Sequence, residues 1–576
     1  MLLLTICPLF MPAAWFLSQD SRSCKRNTPR ALTIHTNSGW LRGMNERIWG
    51  TLDPFFEPGP ILGRKVANTW FLRAFLRADP FDAYHFFPGS GAIGQWLLGR
   101  IQKEFPEIAH KVRVMDRREL PGMLAAHDYF CFHQSDCVTL QPMLAALRNE
   151  VALSCFPITG TIHSLSYQDY AELFLRHLSP GTTARDAIVC TSTAGREVVC
   201  RLFTLLRENY GLAPERFFAP FLAHIPLGVD VQDFACRKHI SECPCRFLVF
   251  GRISHFSKMD LLPVLRAFQR LFADGLARES VCLVLAGWVE DGDDFLPTFQ
   301  NLARNIGLPL EVIKRPTAAE KKRLFVTSDV FVSVADNPQE TFGLTILEAA
   351  AAGLPAIVSD YDGYRDLVLD GLTGIFVPTI GPLATPQVNR MAPLTFDSDY
   401  HLTLAQQTAV SVPKLAEAIL ELAGNVDMRR NMGQAARHMV QSTYTDQAVI
   451  TRYLALWEEL RKHEVHENFR CAGHPSRMDY GRLFGHYTTM QLDNGLTVQT
   501  GRTGWAVYRG REHIAAYAGV ERHVLPEHAR LIAFLARKPV SCGELIAELE
   551  NKASLSAEAA HYAILWALKH DILERG

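Results

Sequence analysis

The chain has 576 residues and 64.6 kDa, more than one hydrophobic core can organise; at ~100–200 residues per domain it asks for about three to five. Apolar residues at 48% and charged residues at 21% exclude a disordered chain. Lys+Arg 59 against Asp+Glu 60 excludes a protein that grips polyanions with its whole surface, while leaving room for a local basic pocket.

Residues 1–17 are apolar, but the basic residues lie after them, from Arg22 to Arg30, the reverse of a secretory signal. Pro8 and Pro12 interrupt the run, which also disfavours a spanning helix. Residues 1–30 therefore read as a leader without order, with a targeting or membrane-contacting segment as the other reading. Thirteen cysteines scattered from Cys7 to Cys542 show no framework spacing, as expected for reduced thiols in the cytoplasm. Cys236, His239, Cys243 and Cys245 cluster, but C-x2-H-x3-C-x-C is not a usual zinc spacing, and a cysteine-rich linker is the preferred reading.

From residue 31 short apolar runs alternate with helical stretches, the signature of parallel α/β sheets. Strands are expected at 31–35, 83–87, 111–115, 128–133, 158–163 and 187–191, then at 246–250, 281–286, 311–314, 330–334, 356–359 and 375–377. These predict two facing doubly wound domains, 31–235 and 246–465, the second closing with the amphipathic run 448–463. Ligands of open α/β sheets sit beyond the strands' carboxyl ends, so two such sheets would enclose an interdomain cleft. A smaller α+β domain is expected over 466–576. It would hold a hairpin or meander over 488–509 and helices over 527–536, 542–551 and 557–569, the second capped by Ser541 with Glu544.

The most informative stretch runs from Asp336 to Pro378. A helix is predicted from about Leu344–Ile346 to Gly353, a C′ glycine followed by Pro355. Glu340 then lies in the preceding loop and Glu348 on the early turns. Between them Thr341, Phe342 and Gly343 offer backbone N–H groups at a helix N-terminus, a setting that binds phosphate. Two flanking carboxylates would suit hydroxyls on either side of a diphosphate; the competing reading is a Thr345–Glu348 capping box with an exposed loop glutamate. Gly251-Arg252, with Lys258 six residues on, places two cations at the carboxyl end of the second domain's first strand, apt for a diphosphate leaving group.

Residues 246–378 resemble the catalytic domain of the family 4 retaining glycosyltransferases, which have the GT-B fold. The matching text is FGRISHFSK and SDVFVSVADNPQETFGLTILEAAAAGLPAIVSDYDGYRDLVLDGLTGIFVP, with its E-x7-E pattern. Weaker similarity extends over roughly residues 31–465. The resemblance implies a hexosyltransferase that uses a nucleotide-diphosphate sugar and a hydroxyl acceptor, with no cofactor and no metal. It implies that Arg252 and Lys258 hold the diphosphate, Glu340 contacts the transferred sugar and Glu348 the ribose. Phe342, Gly343 and Leu344 would supply amides, Gly251 would lie beside the donor, and His163 would sit next to the sugar. Gly39 is assigned as the close-approach glycine, in competition with Gly43, Gly89 and Gly91. The loop Asp362–Asp366 departs from the commoner G-G-x-P-E form, leaving sugar identity open, and the insert 380–408 carries no legible chemistry. Asp291-Gly292-Asp293 and Asp360-Tyr361-Asp362 spell D-x-D, a pattern that arises easily by chance.

Trp70, Phe71, Arg73, Phe75, Leu76 and Arg77 mix aromatics and arginines at helical spacing. A core-facing helix is expected, with peripheral membrane contact as the alternative. Residues 488–576 faintly resemble winged-helix modules of the PqqD type, which implies a docking site for a peptide or protein partner. With 13 basic and 12 acidic side chains over 466–576, no nucleic-acid partner is expected. The alternative of another class is a catalytically silent scaffold that binds nucleotide sugar and presents its C-terminal module.

Overall fold

The computed structural model describes residues 46–57, 63–234, 244–289, 295–465, 469–470, 473–514 and 525–576. Two parallel sheets carry the fold. The first comprises β1 (Ile48–Thr51), β2 (Ala83–Phe86), β3 (Val112–Val114), β4 (Tyr129–Gln134), β5 (Ile158–Thr161), β6 (Asp186–Cys190) and β7 (Phe221–His224). Their order is β3-β2-β1-β4-β5-β6-β7, so among the described residues the sheet starts in the middle and winds outward in both directions. The second sheet holds β8 (Cys245–Arg252), β9 (Val281–Trp288), β10 (Leu310–Lys314), β11 (Val330–Ser333), β12 (Ala356–Ser359) and β13 (Gly374–Val377). Its order is β10-β9-β8-β11-β12-β13. Both orders reverse beside their first strand, the switch point at which α/β sheets open a crevice. These are two Rossmann-like parallel sheets.

Wholly buried runs explain why these segments are strands: Val330–Ser333 and Ala356–Ser359 are buried at every position, as parallel strands covered on both faces require. Between strands, helices such as Leu262–Ala273 bury one stripe (Val264, Leu265, Ala267, Phe268, Leu271) against the second sheet. At the sheet's centre β8 and β9 approach so closely that a Cβ on Gly287 would lie 1.6 Å from the Gly251 carbonyl oxygen.

The strand expected at 31–35 lies outside the described residues, as do Gly39, Gly43 and the leader. Among the described residues, other expectations are corrected. The strand that feeds the first helix, Gly63–Ala78, is β1, a four-residue IWGT run whose Trp49 is fully buried. The run at 448–463 belongs to helix Asp446–Lys462 and packs on the first domain, not the second. Val449, Ile450, Tyr453 and Trp457 join the core built around Trp49, Phe71 and Phe75, and the Trp457 indole donates to Thr159 Oγ1 at 2.9 Å.

The aromatic-arginine helix faces the core. Phe71, Leu72, Phe75 and Leu76 are buried, Arg73 pairs with Glu104, and Arg77 pairs with Asp230 and Asp446. No helix of the described residues is long and apolar enough to cross a membrane.

The insert after β13 forms the two-stranded pair β14 (Thr379–Ile380) and β15 (Ala409–Val410), enclosing helices Pro386–Met391 and Asp397–Gln406. The C-terminal unit has its own core and a three-stranded antiparallel sheet, ordered β17-β16-β18, of β16 (Thr497–Thr500), β17 (Val540–Ser541) and β18 (Leu573–Arg575). GWAVYR is not a strand here: Arg502–Tyr508 is helical, and Gly504 sits where a Cβ would meet the Ile572 carbonyl. Helices Pro526–Leu535, Cys542–Ala553 and Ala557–Lys569 follow, and Ser541 with Glu544 forms the expected capping box.

Candidate active site

The carboxyl ends of both sheets open on one cleft of about 800 Å³. Nine of the ten residues singled out from the sequence line it: His163 from the first domain, and Gly251, Arg252, Lys258, Glu340, Phe342, Gly343, Leu344 and Glu348 from the second. The tenth, Gly39, lies outside the described residues; the glycine lining the cleft after β1 is Gly63.

Helix Leu344–Ala352 begins at Gly343 and ends at Gly353, both in left-handed conformations (φ 108° and 81°). At Gly343 a Cβ would also press on the Tyr364 ring at 2.7 Å, so geometry and space both require glycine there. The Phe342 N–H is directed back to Glu340 Oε1 at 3.4 Å. The Gly343, Leu344 and Thr345 amides are the helix's first N–H groups, which no carbonyl of the helix itself can reach.

Glu340 is ion-paired with Lys258, and the Tyr364 hydroxyl, 2.7 Å from Ser333 Oγ, also reaches Glu340 Oε2 at 3.4 Å. Burial pushes the Glu340 carboxyl up, but the Lys258 ammonium and the Phe342 and Thr341 amides bring it below its ordinary value, so it is ionised. Lys258 sits on a loop pinned to the Glu340 loop: Asn337 Nδ2 donates to the Phe256 carbonyl at 2.8 Å, and the Asp260 N–H to Asp336 Oδ2 at 3.2 Å. Arg252, one residue beyond Gly251 at the end of β8, makes no hydrogen bond or ion pair with any described residue.

Glu348 is not the partner of a capping box. Its Oε1 accepts from Lys321 Nζ at 2.5 Å, while its buried Oε2 has no partner; the Thr345 hydroxyl is likewise unpartnered. Burial raises the Glu348 carboxyl, only partly offset by Lys321. A buried acceptor without a donor is costly, and this one lines the cleft.

His163 Nε2 lies 2.8 Å from the Ser135 carbonyl. A carbonyl only accepts, so Nε2 carries the proton and Nδ1 is left as an acceptor. Burial lowers the ring's pKa to about 4, so it is neutral near pH 7. Two acids bordering Glu340 behave oppositely. Asp362 is raised to about 8 by burial and by the Glu340 charge, and Asp336 to about 7 by burial.

Sequence reasoning missed Lys321, the Glu348 partner, and Arg315, whose guanidinium stacks on Trp288 at 4.7 Å in the same cleft. Lys321 sits in the run EKKR of an ordinary amphipathic helix, Ala318–Thr327, and nothing in its spacing sets it apart. Of the D-x-D candidates, residues 291–293 lie outside the described residues, and Asp360 is engaged by Arg365 at 2.5 Å. Of the cysteine–histidine cluster, only Cys245 is described, buried at the start of β8.

Residues 240–380 match the family model Glycosyl transferases group 1. Among curated relatives, N-acetyl-alpha-D-glucosaminyl L-malate synthase of Bacillus anthracis is 24% identical over 212 residues, 36% of this chain and 44% of that one. D-inositol 3-phosphate glycosyltransferase of Xylanimonas cellulosilytica is 27% identical over 322 residues, 48% of this chain and 69% of that one. The chain spans 44% and 39% of the lengths of the first two relatives it matches. Among solved structures, a glycosyltransferase from Rickettsia africae ESF-5 is 14% identical with a TM-score of 0.48, covering 73% of this chain and 100% of that one.

Proposed function

We propose that the protein transfers a hexose from a nucleotide-diphosphate sugar to a hydroxyl acceptor with retention of configuration. One observation carries the reading. Two largely buried carboxylates, each held by a lysine, flank a helix N-terminus at the floor of an interdomain cleft. The unpartnered Glu348 Oε2 fits a ribose hydroxyl. The Gly343–Thr345 amides, Arg252 and Lys258 fit the diphosphate, and Glu340 with the His163 Nδ1 acceptor fits the sugar's hydroxyls.

The chemistry follows from the charges. As the sugar–phosphate bond breaks, negative charge grows on the diphosphate, where the helix amides, Arg252 and Lys258 stabilise it. Glu340, ionised and facing the sugar, favours the positive charge on the anomeric carbon. His163, neutral, binds without competing for the acceptor's proton, which passes to the departing phosphate on the same face. Closure of the two domains over the bound substrates would keep water from intercepting the sugar.

The C-terminal unit, 466–576, is read as a docking module for a peptide or protein partner. Its deletion should weaken transfer to the true acceptor and spare donor hydrolysis; equal loss of both refutes docking. The site itself is tested by a thermal-shift screen of UDP-, GDP- and ADP-sugars, in which the cognate donor stabilises the fold by RT ln(1+[L]/Kd). Stabilisation without turnover by any donor would favour the silent scaffold.

A further inference from the structure

The insert 379–410 is longer than the second sheet requires, yet its helix Asp397–Gln406 does not face solvent alone. Tyr400 and His401 are buried (5% and 0% exposed), and both reach the first domain. His401 Nε2 lies 3.0 Å from the Ser166 carbonyl, so it carries the ring proton, and Nδ1 accepts from Gln339 Nε2 at 2.8 Å. The Tyr400 hydroxyl, bonded to the Asp397 carboxylate, accepts the Gln168 N–H at 3.0 Å and lies 3.2 Å from the Ser166 carbonyl. Tyr167 packs edge-on to the His401 ring at 5.6 Å. The same two loops also meet directly: Ser164 Oγ donates to the Gln339 carbonyl at 2.9 Å.

The position of these contacts gives them meaning. Gln339 immediately precedes Glu340, and Ser164–Gln168 immediately follow His163. We propose that the insert is an interdomain clasp, and that His401 and Tyr400 are positioning residues. Through Gln339 and Ser166 they fix the Glu340 loop of one domain against the His163 loop of the other. This rests on the transferase reading for its catalytic consequence, but not for the clasp itself. The groups assigned to the nucleotide, Glu348 with Lys321 and the helix amides, lie within the second domain, so the clasp leaves nucleotide binding alone. What it sets is the distance across the cleft, and a misplacement of ~1 Å can cost about 100-fold in rate.

The test uses the full-length protein and three variants, His401→Ala, His401→Gln and Tyr400→Phe. Distances between spin labels on helices Thr193–Tyr210 and Leu262–Ala273 are measured without ligand. Affinities for UDP, GDP and ADP are measured alongside kcat and the ratio of transfer to donor hydrolysis. His401→Ala should broaden the interdomain distances. It should lower kcat about 10- to 100-fold and shift the ratio toward hydrolysis, with nucleotide affinity unchanged. His401→Gln, which keeps a donor and an acceptor, should recover most of the loss; Tyr400→Phe should show a milder form of it and serves should His401→Ala not fold. Unchanged distances in His401→Ala, or losses that track only the folded fraction and are equal in His401→Gln, overturn the clasp. If the wild-type protein turns over no donor, the transferase reading fails, and the label distances still decide whether the insert clasps the domains.

Discussion

Lys258→Ala removes the cation that Glu340 depends on, and its consequences can be worked from the geometry. The two side chains keep only 14% and 12% exposure, so the discount that applies to surface ion pairs does not apply. Breaking a fully buried pair costs about 3–5 kcal/mol; the remaining window onto the cleft brings the expected loss to about 2–3 kcal/mol. If the second domain melts as a unit, that is a Tm lowered by about 5–10 °C. The loss depends on pH in a definite direction. In the native protein Glu340 is held below its ordinary value, so its contribution is present above the unfolded pKa and is lost as pH falls through the folded one. Without Lys258, burial raises the carboxyl instead. The deficit is then largest near neutrality and closes as acid protonates Glu340. Turnover should fall about 100- to 1,000-fold, the usual cost of removing one group that stabilises a developing anion. Thermal melts across pH 5 to 8 and single-turnover rates read both effects. A variant that melts like wild type throughout, and transfers within a few-fold of it, refutes the reasoning.

Three other outcomes are expected. Glu348→Gln keeps the shape but replaces an orphan acceptor oxygen with a mixed amide, so nucleoside diphosphate affinity should fall about 10-fold while kcat at saturation holds; calorimetric titration checks it. Asp336 and Asp362 stay protonated in the fold up to about 7 and about 8, so native protein binds more protons than unfolded chain. Stability should fall as pH rises from about 4 toward 8, and Asp362→Asn should flatten that decline in denaturant midpoints. Gly343→Ala must hold φ 108° and push on the Tyr364 ring. Its cost, about 1–3 kcal/mol, should appear in melts together with weakened nucleotide binding.

Much of the second domain is legible because its central strands, such as Val330–Ser333 and Ala356–Ser359, are buried on both faces and its helix boundaries are written in glycines. Gly353 with Pro355 marked the end of the Leu344–Ala352 helix, and the E-x7-E spacing then put both carboxylates beside its start. The first domain was harder. β1 is four residues long with a glycine inside it, and β7 is largely exposed, so neither gives a periodic signal. The closing helix packs on the first domain although it follows the second; amphipathicity reports that a face is buried and not against what. Lys321, Asp336 and the Tyr400–His401 clasp were illegible for a related reason: their roles depend on partners 27 to 235 positions away, and sequence spacing carries no trace of such pairings.

The central claim is that this cleft breaks a sugar–phosphate bond and delivers the sugar with its configuration retained. Real-time proton NMR of full-length protein incubated with UDP-, GDP- and ADP-hexoses observes that event directly. One donor should be consumed, and the anomeric proton first appearing in the product should have the donor's configuration. Consumption with the opposite anomer appearing first, or no consumption of any donor, contradicts that claim.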